Sequence, residues 1–219
     1  MSGSTRKRLL EALKSQDWPS SLENLEKDAS RGLVSQAVAA LSNPEPMLRW
    51  RAVEAVGFLV SKLMREDKES ARDVIRRLLW SLNEESGSIG WGAPEALAEI
   101  LAREKGLAQE FLPIFVSFLK TDDLMRMPEG IARGFLWGVF RLGELYQDEL
   151  GKPDVLDSIK AFLASADSST RGMAVLALKK FQSSKSLEGA HNLSHDQGIF
   201  TFMDQGKIHH MSISEVLNQ

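Results

Sequence analysis

Cysteine is absent from the 219-residue chain. That removes disulfides, thiolate metal sites and a cysteine nucleophile together, and it fits a reducing compartment. Histidine is nearly absent: His191, His195, His209 and His210 are the only four, all beyond residue 182. A histidine-based acid–base or Ser–His site in the body of the chain is thereby excluded. No apolar run approaches the ~20 residues of a membrane span. Residues 1–18 carry Arg6, Lys7 and Arg8 but no apolar segment after them, so a cytoplasmic, soluble protein is expected. An excess of positive charge is missing as well. The formal net charge is −3 with a pI near 5.9, and residues 1–182 hold 25 basic against 26 acidic residues. Nucleic acid is therefore not an expected partner unless Arg49, Arg51, Arg133, Arg141 and Arg171 gather on one face.

What is present is enough apolar residue for a core, 43% against 26% charged. It is arranged in repeats, the first pattern to look for because missing it misreads the whole fold. At an offset of 41, Val34, Ala37, Val38 and Leu41 fall on Ile75, Leu78, Leu79 and Leu82. At the same offset Leu48, Trp50, Ala52, Glu54, Ala55, Val56 and Leu59 fall on Ile89, Trp91, Ala93, Glu95, Ala96, Leu97 and Ile100. Both sets follow one helical face. At an offset of 122, Arg49, Ala52, Val53, Ala55 and Val56 meet Arg171, Ala174, Val175, Ala177 and Leu178. A looser pair lies between: Leu112, Phe115, Val116 and Leu119 match at 78, and Gly138 and Gly143 at 86. The mismatch implies about eight extra residues around Thr121 to Gly130.

The segments LRWRAVEAVGFL (48–59) and STRGMAVLALKKF (169–181) resemble the second helix of HEAT-like repeats of the phycobilisome-lyase type. The Gly-Trp-Gly-Ala-Pro-Glu run, 90–95, resembles one group of bacterial HEAT-repeat proteins, from which no activity carries over. The resemblance covers about residues 30–182 and implies an all-α, αα-superhelical fold of four helix pairs. Their expected spans are 30–65, 66–105, 106–147 and 150–182. Gly90 and Phe135 replace the pattern's Arg, so no continuous polar ladder is implied.

One helix pair cannot bury its own apolar stripe, so neighbouring pairs must stack. Residues 5–16, with Leu9, Leu10 and Leu13, read as an N-terminal capping helix, and 18–29 as a polar connection. Residues 183–197 read as a linker. In 198–214 two β-prone runs flank Asp204-Gln205-Gly206, a hairpin signal. The hairpin is expected to cover the open apolar edge of the last pair, so the domains divide as 1–182 and 183–219.

In the second helices, positions matching 48, 52, 55, 56 and 59 form the buried set, and those matching 50, 51, 54 and 58 face outward. Second helices line the concave side of such arrays, which makes these the candidate binding positions. Trp50, Arg51 and Glu54 recur in part as Trp91 and Glu95, with Glu99 following and Trp137 on the third pair. Trp and Arg are enriched at binding hot spots, yet each Trp can equally fill space between repeats. Pro94 requires a helix that starts near 92–93 or kinks there. In the first case Gly90 and Gly92 precede a helix N-terminus that favours an anion; in the second reading of these glycines they allow close approach. The four histidines read as solvated or hairpin-packed rather than as a metal site, and no cofactor is expected.

The leading expectation is a non-catalytic scaffold that binds a protein or peptide in its concave groove. A nucleic-acid module and a lyase-like small-molecule binder, its pocket near Trp91, Trp137 and the glycines, are the alternatives.

Overall fold

The computed structural model describes residues 2–26, 30–83, 90–181 and 187–219. The described chain is mostly helical, with one two-stranded antiparallel sheet near its C-terminus. It divides into two compact units, Met1–Leu107 and Ala108–Gln219. The tail therefore belongs with the second unit, rather than forming the separate 183–219 segment expected from the sequence.

The first unit contains α1 (Ser2–Lys14), α2 (Trp18–Glu26), α3 (Arg31–Ala40), α4 (Pro46–Glu66), α5 (Lys68–Leu82), α6 (Ala93–Arg103) and the start of α7 (Lys105–Phe118). Local chemistry sets these limits. Ser30 accepts the Leu33 N–H at 3.2 Å to start α3, and Pro46 occupies the first turn of α4. Asp67, in an extended conformation, ends α4 and starts α5 by accepting the Ser70 N–H at 3.1 Å. Helix α4 packs on α6, α3 and α5, and is buried on all but one side, where Arg51, Glu54, Phe58 and Lys62 are half-buried. The expected buried set, Leu48, Ala52, Ala55, Val56 and Leu59, lies inside this unit, as do Ala93, Ala96, Leu97 and Ile100 of α6. Leu9 and Leu13 of α1 are buried, and α1 packs on α3.

The stretch read as a polar connection after residue 18 is instead a nine-residue helix, α2. Trp18 and Leu25 anchor it in the core, while residues 27–29 lie outside the described residues. Ile89, in the offset-41 match, also lies outside them.

The second unit holds the rest of α7, then α8 (Thr121–Arg126), α9 (Glu129–Leu142), α10 (Gln147–Leu150), α11 (Pro153–Ala161) and α12 (Ser168–Leu178). Strands β1 (Ile199–Asp204) and β2 (Lys207–Ser212) and a last helix, α13 (Ile213–Asn218), complete it. The stretch around Thr121 to Gly130, where extra residues were expected, holds α8 and the start of α9. Helices α9 and α12 pack on each other at the centre. Phe135 of α9 meets Phe115 and Phe118 of α7 at ring-centroid distances of 5.2 and 5.3 Å. The hairpin pairs Ile199 with Ser212 through Asp204 with Lys207. Its two-residue turn needs positive φ twice, supplied by Gln205 (47°) and Gly206 (76°).

Two expectations about the tail change. The described part of the linker forms a 3₁₀ turn at Ala190–Leu193, with Ala190 buried. Asp196 then accepts from Arg171 Nε at 2.9 Å and from the Gly198 N–H at 2.8 Å, which fixes the approach to β1. The hairpin also reaches beyond the last helix pair. Its β1 strand lies on α12, and Phe202 meets Phe140 of α9 edge-on at 5.8 Å.

Gly172 makes this seating possible, because a Cβ there would stand 2.3 Å from Phe200 Cδ1. Glycine to alanine in an open helix interior stabilises by about 0.5–1 kcal/mol. At Gly172 the sign is expected to reverse, with Gly172→Ala losing about 1–3 kcal/mol from overpacking. Urea unfolding measures this, and Phe200→Leu in the same chain should recover part of the loss.

Candidate functional site

In the first unit the second-helix face, expected to be an open groove, is already filled. Trp50 is only 8% exposed. Arg51 turns back to α1, where Nη1 donates to the carbonyls of Leu13 at 2.7 Å and Ser15 at 2.8 Å, satisfying the helix end. Its guanidinium also sits over the Trp18 ring, 5.5 Å from the centroid. Trp18 Nε1 donates to Glu54 Oε2 at 2.6 Å. Glu99 is buried, and its Oε1 accepts from Arg103 Nε at 2.6 Å while Arg103 lies over the Phe58 ring. Gly57 leaves room for the Glu99 stem, since a Cβ would stand 2.6 Å from Glu99 Cγ. Burial pushes the Glu54 carboxyl up, the Trp18 N–H opposes it, and the nearby Glu99 adds to the rise.

The second unit treats its second-helix face the same way. Trp137 is buried, and its Nε1 donates to the Met203 carbonyl of β1 at 2.8 Å. Arg133 is engaged with Asp167 at 2.8 Å. Thus Trp50 and Trp137, expected to face outward, are packing residues. The hairpin closes over Trp137, and α2 packs on α4 beside Arg51 and Glu54, a side that repeat periodicity leaves open.

Of the predicted residues, Trp91 alone has a largely exposed ring, at 43%. It precedes α6, while Glu95 lies half-buried in the first turn. Helix α6 starts at Ala93 with Pro94 in its first turn and Gly92 at φ +76°. Both glycines serve close approach: a Cβ on Gly90 would stand 2.7 Å from Ser81 Oγ, and one on Gly92 3.0 Å from Leu41 Cβ. The Ala93 N–H is bound to the Gly90 carbonyl at 3.0 Å and Pro94 has none, which withdraws two donors an anion would use. Residues 86–89 of that loop lie outside the described residues.

The open feature of the first unit is on its first helices. A groove of about 670 Å³ runs between α3 and α5, with buried Leu63 and Val74 in its floor. Arg31, Arg76 and Arg77 line it, and Trp80, 72% exposed, stands at its rim. The Arg31 guanidinium at 2.6 Å and the Ser70 hydroxyl and N–H keep Asp67 well below the usual carboxylate range. Repeat matching missed this groove because it directs attention to second helices. The available signal was Trp80 on the same helical side as Arg76 and Arg77, where a polar residue is expected.

Among the described residues no set of three or more His, Asp or Glu side chains is placed to hold a metal. His209 stacks on Phe202 at 5.1 Å, and His210 Nδ1 pairs with Thr201 Oγ1 at 2.9 Å. No described helix is long and apolar enough to cross a membrane.

The chain matches no family model. It is similar to an uncharacterized protein of the archaeon Archaeoglobus fulgidus, 29% identical over 146 residues, which cover 66% of this chain and 72% of that one. Among solved structures, the crystal structure of an engineered protein superimposes with a TM-score of 0.49 at 16% identity, covering 87% and 86% of the two chains. Neither likeness assigns an activity.

The raised Glu54 carboxyl has a thermodynamic consequence. The unfolded chain releases this proton first, near pH ~4.3. The group's contribution to stability therefore falls as pH rises through the folded value. Glu54→Gln keeps an oxygen for the Trp18 N–H without an ionisable group. The melting temperature of Glu54→Gln relative to wild type is expected to rise between pH ~4 and ~7, and a pH-independent difference would contradict this origin.

Proposed function

We propose that the chain is a non-catalytic interaction scaffold, built of HEAT-like helix pairs stacked as a short solenoid, that binds a protein or peptide partner. Helices α3 with α4, α5 with α6, α7 with α9 and α11 with α12 match the four expected pairs, which supports the repeat reading. One observation carries the functional reading. The second-helix faces are covered by the chain's own α2 and hairpin, whereas Trp80 stays exposed beside an apolar groove on the first helices. The binding seat therefore moves from Trp50, Glu54 and Glu99 on the concave side to the α3–α5 groove.

The polar side chains of the covered face are committed to internal partners, Glu54 to Trp18 and Glu99 to Arg103, which speaks against acid–base work there. For the nucleic-acid alternative, Arg51, Arg133 and Arg171 are likewise engaged with backbone carbonyls or carboxylates. For the small-molecule alternative, Trp137 is buried with its N–H on the Met203 carbonyl.

The test is to capture partners on the immobilised full chain, identify one by mass spectrometry, purify it and titrate it. Trp80→Ala is expected to weaken that partner by roughly thirtyfold, the ~2 kcal/mol of a hot-spot tryptophan. Trp91→Ala, outside the groove's lining, should leave it within a fewfold. Wild-type affinity for Trp80→Ala would sink the interaction reading at this surface.

A further inference from the structure

We propose that the α3–α5 groove is a docking site for an acidic peptide segment that presents a carboxylate beside an apolar side chain. The inference rests on the interaction reading above and adds the chemistry of the partner. Its basis is the charge balance around the groove. Arg31, Asp73, Arg76 and Arg77 line the groove, and ion pairs connect Arg31 and Arg76 to Asp67, Glu69 and Arg72 beside it. Each carboxylate is paired: Asp67 with Arg31 at 2.6 Å, Glu69 with Arg72 at 3.5 Å and with Arg76, and Asp73 with Arg76 at 2.8 Å. The remaining positive charge is Arg77. Among the described residues no carboxylate pairs with it, and its Nε makes only a long 3.4 Å contact with the Asp73 carbonyl.

A guanidinium has five donors in a planar fork, so the terminal nitrogens of Arg77 suit a carboxylate taken end-on. Trp80 lies three residues further along α5, on the same side of the helix as Arg77. A ligand carboxylate on Arg77 therefore has the indole and the apolar floor of Leu63 and Val74 beside it for the adjoining side chain. The volume of about 670 Å³ falls within the ~300–1,000 Å³ range of ligand clefts. A phosphate backbone fits less well. It needs several neutralising contacts along its length, and here three carboxylates flank a single surplus cation.

The probe is a short acetylated, amidated peptide alternating aspartate with leucine and phenylalanine, titrated calorimetrically into the full chain. Its controls are the lysine version of the same peptide and an oligothymidylate strand. Saturable binding of the acidic peptide is expected, weakening as salt is raised. Affinity should fall at least ~tenfold in Arg77→Ala and in Trp80→Ala, and part-way in Arg77→Lys, which keeps the charge without the fork. Both positions are exposed, so each variant is expected to keep the wild-type midpoint of urea unfolding. The proposal is overturned if either control binds as well as the acidic peptide, or if Arg77→Ala binds it unchanged. It also falls if the groove is closed by a second copy, seen as concentration-dependent self-association that Trp80→Ala abolishes. If a purified natural partner is lost on Trp80→Ala while the acidic peptide does not bind, the interaction reading stands and the acidic chemistry falls. If the peptide binds through Arg77 while natural partners ignore Trp80→Ala, the site stands and the interaction reading falls.

Discussion

A helix buried on all but one stripe has little side to give to water, and α4 is such a helix. Its buried residues include Leu48, Trp50, Val53, Val56, Leu59, Val60 and Leu63, while Arg51, Glu54, Phe58 and Lys62 form the remaining, half-buried side. Burying each large side chain is worth ~1.5–3 kcal/mol, so leaving one side open would forfeit much of the unit's stability. Helices α3, α5 and α6 cover part of it. Trp18 of α2 comes down near Arg51 and Glu54, and Arg103 of α6 crosses Phe58. In the second unit α9 and α12 pose the same problem, and β1 answers it with Phe200 on Gly172 and Phe202 on Phe140.

Covering a helix that also carries polar groups brings a second requirement, because each buried polar atom needs a partner. The Arg51 guanidinium closes the exposed carbonyls at the end of α1, so one side chain both caps a helix and fixes its position against α4. Arg171 does comparable work in the second unit. It donates to the Ser165 and Ala166 carbonyls as α12 begins and pairs with Asp196 before β1. Helix starts are shared in the same way: Asp67 caps α5 while holding Arg31, and Asp167 caps α12 while holding Arg133.

The helical pattern was legible because a 3.6-residue period marks which side of a helix faces its neighbours. Leu48, Ala52, Ala55, Val56 and Leu59 were assigned on that ground and are buried. The eight-residue change of offset marked the stretch that holds α8 and the start of α9, and Gly206 marked the hairpin turn. What period alone cannot tell is whether another segment folds onto the opposite face. Trp50 therefore read as outward, although the unit buries it. Helix α2 was hard to see for a related reason. Its segment WPSSLENLE has two buried anchors, Trp18 and Leu25, among mostly polar residues. The α3–α5 groove was illegible because it depends on the spacing between two helices, which no single-helix pattern contains.

The tryptophans separate packing from recognition on physical grounds. A buried indole must place its N–H on an acceptor, and two do so inside their own units: Trp18 on Glu54 and Trp137 on Met203. Those rings are tied to folding, since removing one opens a cavity and leaves an acceptor without its donor. Trp80 is in the opposite position. At 72% exposure it contributes little apolar burial to folding, and it stands beside the one arginine of the groove left without a carboxylate among the described residues. A large apolar ring kept in water beside an uncompensated cation gains its burial only when something else arrives. That is the sense in which this surface is incomplete on its own, and why a partner is sought there rather than on the tryptophan-bearing face the repeats first indicate.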